Sequence, residues 1–156
     1  MKKTCISDCF IWILSAELVG ALSSLLAGSF SDFFTRYAEP PLLPPAWVFP
    51  VVWTILYALM GWGACLVSAS SESGCRGALA VYRIQLVLNF AWSILFFRFE
   101  LLWASAVELA ALLVMVLLMV ILFFKCSRKA ALLNLPYLLW AGFALYLNVA
   151  TASANA

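Results

Sequence analysis

The chain has 156 residues, 67% of them hydrophobic and only 10% charged, with a net charge of +2 and a mean hydropathy of +1.08. That balance excludes an ordinary soluble domain and leaves too little loop for a second one, so 1–156 is expected to be a single all-α, five-helix transmembrane bundle. Histidine is absent, which removes the imidazole needed as proton shuttle, serine-activating base, zinc ligand or haem axial ligand; no cofactor and no metal are expected.

The amino-terminal stretch MKKTCISDCFIWILSAELVG pairs Lys2 and Lys3 with an apolar run, as a signal peptide does. Glu17 interrupts that run and apolar character resumes to Phe30, which is spanning length and predicts a retained first helix over 9–30. Ala16, Gly20, Ser24 and Gly28 recur at four-residue steps, a ridge of small side chains that lets helices approach closely within one chain or between two copies.

The next segment, PPLLPPAWVFPVVWTILYALMG (40–61), is the most informative. Pro40, Pro41, Pro44 and Pro45 cannot sit in one helix, because each ring removes a donor and restricts the residue before it. Irregular backbone at a membrane survives only where protein covers it or a cavity adjoins it. A lid leading into a second helix over 47–67 is therefore predicted, with Trp47, Phe49, Trp53 and Tyr57 hung below it.

Three more windows reach spanning length, 78–97, 101–124 and 130–150. The third span carries Arg83, Gln85 and Asn89, and only Arg98, Phe99 and Glu100 separate it from the fourth, which demands a tight hairpin. With five crossings, Lys2, Lys3, Arg76, Lys125, Arg128 and Lys129 share one side, against Arg36 and Arg98 on the other. The charge asymmetry predicts a multi-pass protein of a bacterial cell membrane with a cytoplasmic amino terminus. The five cysteines form no CxxC pair and read as reduced apolar fillers or cytoplasmic thiols.

Helical spacing brings polar and aromatic groups onto common faces. Trp53, Tyr57 and Met60 share one on the second span; Gln85, Asn89, Trp92 and Phe96 share one on the third; Tyr137, Trp140, Ala144 and Asn148 share one on the fifth. Trp53, Asn89 and Trp140 lie about 9, 12 and 15 Å below the outer ends of their helices, so they fit one layer of an outward-opening cavity. Gln85 and Asn89 read either as ligand contacts or as bonds between helices, since an amide in hydrocarbon needs a partner. Trp12, Trp47, Trp62 and Trp103 lie towards helix ends and suit the interfacial belt or the lid. Glu17 and Glu108 are intramembrane carboxylates that suggest either a proton path or packing against polar neighbours.

The passages PPAWVFPVVWTILYALMG (44–61), QLVLNFAWSILFF (85–97) and LPYLLWAGFALYLN (135–148) resemble the translocator protein family, also called tryptophan-rich sensory proteins or peripheral-type benzodiazepine receptors. The resemblance implies a five-helix bundle, often a homodimer, with a pocket closed by the first loop. It implies porphyrins (protoporphyrin IX above all), benzodiazepine-site compounds and sterols as ligands. By motif position it makes Trp53, Asn89 and Trp140 pocket residues, with Tyr57, Trp92 and Ala144 beside them; Gln85 joins the expected ligand contacts from its amide alone. Two departures stand out. The family loop commonly reads Lys-Pro-x-Trp-x-Pro-Pro, where this chain has Glu39, Pro40, Pro41, Leu42, Leu43, Pro44 and Pro45. The end ALYLNVATASANA also lacks the Tyr-then-Arg/Lys pattern proposed for cholesterol, which argues against a sterol.

The function expected is a membrane binding protein for porphyrins and related apolar ligands, with a sensory or tetrapyrrole-handling role. One alternative is a light- and oxygen-dependent porphyrin-degrading enzyme using Trp53 and Trp140, since no conventional catalytic set is present. Another is a small transporter of tetrapyrroles or sterols coupled through Glu17 and Glu108. The bilayer and a second copy are the expected partners; nucleic acid is not.

Overall fold

The computed structural model describes residues 6–71 and 74–156. Helix α1 (Ile6–Ala27) ends where Gly28 takes a φ of 93°, a left-handed turn that glycine adopts without a Cβ clash. Ser29 then caps the short helix α2 (Phe30–Arg36), its hydroxyl accepting from the Asp32 N–H at 3.3 Å. The expected first span over 9–30 is thus broken at Gly28, and Phe30 belongs to α2. After the proline-rich loop, α3 (Val48–Ser68) carries Pro50 in its first turn, where a missing N–H costs nothing. Helix α4 (Cys75–Ser93) runs on into a π-helical turn over Ile94–Arg98, closed by the Phe99 N–H donating to Ile94 O at 3.0 Å. Helices α5 (Leu102–Cys126) and α6 (Arg128–Ala154) meet at Ser127, which ends one and caps the other.

Five of these segments, Ser7–Arg36, Val48–Ser68, Cys75–Arg98, Leu102–Cys126 and Arg128–Ala154, are long and apolar enough to cross a membrane. They exceed most of the apolar windows read from sequence, because helical hydrogen bonding continues past the first interfacial charges. Among the described residues there is no strand. Packing runs α1 on α3, α3 on α6, α6 on α5, α5 on α4 and α4 on α1, so the helices close a ring. Its core includes Leu56, Met60, Tyr82, Leu109, Leu112, Val116, Met119, Phe123 and Tyr137. Close approach at α1–α3 rests on glycine: a Cβ at Gly61 would strike the Ile13 backbone, and one at Gly20 the Tyr57 ring. Ala16 is fully buried as well, so the small-residue ridge is used at least partly within the chain.

The two ends of the ring differ. Arg76, Lys125, Arg128 and Lys129 gather at one end and Arg36 and Arg98 at the other; Lys2 and Lys3 lie outside the described residues. The cysteine reading needs correction. Cys9 pairs with Cys65 across α1 and α3, and Cys75 with Cys126 across α4 and α5, with Cα separations of 5.0 and 5.8 Å. Sequence spacing hides these pairs because antiparallel helices, not local motifs, bring their partners together.

At the opposite end the loop is moored from several sides. Tyr37 Oη donates to Glu100 Oε2 at 2.8 Å, and Arg36 forms an ion pair with the same carboxylate. The Ala38 N–H donates to Asn155 Oδ1 at 3.0 Å, and Tyr146 Oη to Pro41 O at 3.2 Å. Glu100 occupies the predicted tight hairpin with a φ of 56°, a costly setting for a residue with a Cβ. That setting places its carboxylate against the loop.

Candidate ligand cavity

A cavity of about 440 Å³ lies between α1, α3 and α4 in the half of the bundle nearer the loop. Its two long walls differ in kind. Helix α1 and the turn that ends it supply Gly20, Ala21, Ser23, Ser24, Ala27 and Gly28, none with more than two side-chain heavy atoms, with the longer Glu17 at the inner end of this wall. Facing them are Phe49, Trp53 and Tyr57 of α3, Trp92 of α4 and Phe97 of the π-helical turn. The α4 wall is pinned by Ser23, whose hydroxyl donates to Phe90 O at 3.0 Å and meets that of Ser93. The exposed lining residues form two stripes, Ala21, Ser24 and Gly28 on α1 and Ala46, Pro50 and Thr54 before and along α3. The cavity therefore opens along the α1–α3 seam. This differs from the expected opening straight up beneath the prolines, because Phe30 and Phe49 touch there at 4.5 Å between ring centroids. The proline loop instead roofs a second hollow of about 380 Å³, lined by Phe34, Glu39, Leu43 and Pro44 and sharing Phe30 and Ala46 with the first.

The inner end of the main cavity rests on a buried chain of hydrogen bonds. Tyr57 Oη donates to Asn89 Oδ1, and Asn89 Nδ2 donates to Tyr137 Oη at 2.8 Å. Tyr137 Oη donates to Gln85 Oε1 at 2.8 Å, and Gln85 Nε2 points at Met60 Sδ, 3.7 Å away. These links join α3, α4 and α6, and each group finds a partner that hydrocarbon would not supply.

Of the residues singled out from sequence, Trp53, Tyr57, Asn89 and Trp92 line this cavity. Gln85 does not; it is fully buried and ends the hydrogen-bond chain, as the helix-bonding reading has it. Trp140 stands one ring away, behind Phe49 at 5.9 Å between centroids, and its indole N–H is buried with no acceptor among the described residues. Ala144 lines a small void of about 20 Å³ between the π-helical turn and α6. Trp92 combines two roles, since one side of the indole faces the cavity while its N–H donates to Asn148 Oδ1 at 3.0 Å. Trp53 lies 6.1 Å from Trp92 between ring centroids, inclined at 39°. Trp47, Trp62 and Trp103 are exposed, and Trp12 meets Tyr82 edge-on at 5.9 Å.

Sequence reasoning missed the wall contributed by α1. The four-residue step of small residues was the available signal, and it marks room for a ligand as readily as room for a helix. Phe30 and Phe97 were missed because nothing local distinguishes them from core phenylalanines. Glu108 packs with both carboxyl oxygens buried and without a partner among the described residues, and it lines none of the three hollows.

The chain is 35% identical to the tryptophan-rich protein TspO of Chlorobaculum tepidum over 127 residues, 80% of each chain. It is 36% identical to the TspO of Archaeoglobus fulgidus over 149 residues, 92% of this chain and 97% of that one. It is also 33% identical to the translocator protein of Ovis aries over 119 residues, 74% of this chain and 70% of the other. The TspO/MBR family model matches residues 12–153, and with its five spanning helices the chain is an integral, multi-pass membrane protein that belongs to the TspO/MBR family.

Proposed function

We propose that the cavity between α1, α3 and α4 binds a flat, mainly apolar ligand of the porphyrin class, with protoporphyrin IX and benzodiazepine-site compounds as reference ligands. The observation that carries this reading is the asymmetry of the walls: aromatic faces on one side and small side chains on the other. A planar ligand gains stacking contact from the first and needs no displaced bulk on the second. A concave, apolar site with few polar groups fits the general pattern of small-molecule pockets. A sensory or ligand-handling role, with the amino terminus in the cytoplasm, belongs to the same proposal. Photochemical use of both tryptophans finds less support, because Trp140 stands behind Phe49 rather than on the cavity wall.

Titration of the purified chain with protoporphyrin IX, followed by quenching of tryptophan emission, tests the reading. Saturable quenching is expected, with affinity falling about tenfold in Trp53→Phe as stacking area is lost. Curves identical in both chains remove Trp53 from the site and with it the proposal.

A further inference from the structure

The inner end of the main cavity is made by the deepest lining residue of each wall, Glu17 on α1, Tyr57 on α3 and Asn89 on α4. Two of the three have no spare role. Tyr57 commits its O–H to Asn89, and the Asn89 amide is held by Tyr57 on one side and Tyr137 on the other. Glu17 differs: among the described residues it takes part in no hydrogen bond and no ion pair. It lies one step inside Gly20, Ala21 and Ser24 on the same stripe of α1, so the small wall leads directly to it. A carboxyl group with no hydrogen-bond or ion-pair partner among the described residues thus stands at the inner end of the aromatic slot.

The rest of the enclosure agrees in sign. Neither this cavity nor the hollow beneath the proline loop is lined by a lysine or arginine, and that hollow contributes a second carboxylate, Glu39. Arg36, the basic residue closest in sequence, is engaged with Glu100. In the main cavity a ligand bearing carboxylates meets the Glu17 carboxyl group and no counter-charge, and like-charge juxtaposition is costly. A ligand bearing a basic nitrogen meets the Glu17 carboxylate and the faces of Trp53 and Trp92, both of which favour a cation.

We infer that this site selects flat ligands by charge, preferring those with a cationic or N–H-donating group at the buried end, and that Glu17 is the residue setting that preference. The inference rests on the flat-ligand reading above and adds the class of ligand. It leaves a dicarboxylate porphyrin as the weakest of the compounds sharing that ring system.

Three derivatives of one ring system test it: protoporphyrin IX with free carboxylates, its neutral dimethyl ester, and an amide carrying terminal amines. Each is titrated against the full chain and against Glu17→Gln in nanodiscs of zwitterionic lipid, with tryptophan quenching as readout. The amine derivative is expected to bind about tenfold more tightly than the ester, and the ester more tightly than the dicarboxylate. In Glu17→Gln the advantage of the amine should shrink to within about twofold, and a helical circular-dichroism spectrum matching that of the parent chain shows that the variant is folded. Equal affinities across the series, a preference for the dicarboxylate, or an amine advantage that survives Glu17→Gln overturns the inference alone. Failure of all three to bind removes the flat-ligand reading too.

Discussion

Phe30 rests on Phe49 with ring centroids 4.5 Å apart, where the two hollows of the loop-bearing half adjoin. It also meets Phe34 at 4.9 Å and Phe97 at 5.7 Å, so one side chain from α2 ties the loop's base to α3 and the π-helical turn. Phe30→Ala should join the two spaces. Exchange of a bound flat ligand should accelerate several-fold in stopped-flow quenching, and the thermal midpoint should drop by the cost of a half-buried ring, about 1–3 kcal/mol. An unchanged dissociation rate would mean that ligands never pass this partition.

The buried tyrosines make a controlled pair. Tyr137 uses its hydroxyl twice, accepting from Asn89 and donating to Gln85. The Tyr82 hydroxyl is equally buried and has no partner among the described residues. Removing the first strands two amides at about 1–3 kcal/mol, whereas removing the second relieves an unmet polar group. Tyr137→Phe should therefore lower the unfolding temperature in detergent, and Tyr82→Phe should leave it unchanged or raise it. Equal losses would show that ring packing, not hydrogen bonding, governs both sites.

Glycine substitutions separate helix approach from helix propensity. A methyl group at Gly61 meets the backbone of Ile13 and Trp12, which cannot move aside without shifting α1. At Gly142 a methyl group meets nothing within 4 Å. Gly61→Ala should destabilise by several kcal/mol through overpacking, and Gly142→Ala should stabilise by about 0.5–1 kcal/mol through reduced backbone freedom. Comparative chemical or thermal unfolding reads both signs.

Much of this architecture was legible beforehand because its causes are local. Spanning length, the break imposed by the prolines and the short Arg98–Glu100 joint all follow from neighbouring residues. Helical spacing also put Trp53 with Tyr57 and Asn89 with Trp92 on common faces, and these four do meet around one cavity, whereas Trp140, read into the same layer, does not join them. What the sequence could not reveal was which helix stands opposite that layer. Trp140 shares a face with Ala144 by spacing, yet α6 sits on the far side of α3, and Phe49 intervenes. Glu17 looked like an isolated carboxylate in a span until α1 was packed against the aromatic wall. Cys9 and Cys65 lie 56 residues apart, so only the antiparallel packing of α1 on α3 reveals their pairing.

The mooring of the loop predicts an alkaline limit. The hydrogen bond to Glu100 holds the Tyr37 hydroxyl above its ordinary ionisation range, with burial and the carboxylate's charge acting in the same direction. A raised value means that folding favours the protonated phenol. The stabilisation is therefore complete below about pH 10, where the unfolded tyrosine also keeps its proton, and is lost as pH climbs through the higher folded value. Limited proteolysis within 37–47 should accelerate over that alkaline window, and Tyr37→Phe should be faster at neutral pH with no further alkaline rise from this residue. A cleavage rate flat with pH in the parent chain would show that Arg36 and Asn155 moor the loop without Tyr37.

The two disulfides set up a sharper test, because they share their end of the bundle with Arg76, Lys125, Arg128 and Lys129. In the orientation proposed above that end faces the cytoplasm, where thiols are ordinarily kept reduced. Each bridge joins neighbouring helices, α1 to α3 and α4 to α5, and leaves α6 unlinked. The cavity lies between the two bridged pairs, so reduction should loosen its walls without unfolding the ring. Chain alkylated in intact cells before lysis should migrate faster on a non-reducing gel than the same chain after reduction. Loss of both bridges in a Cys65→Ser, Cys126→Ser double variant should cost about 2–4 kcal/mol of unfolding free energy for each bridge. Ligand dissociation should accelerate in the same variant, because α1 and α3 frame the mouth. Complete alkylation of all the cysteines in living cells would restore the reduced-thiol reading and leave the bridges as products of later oxidation.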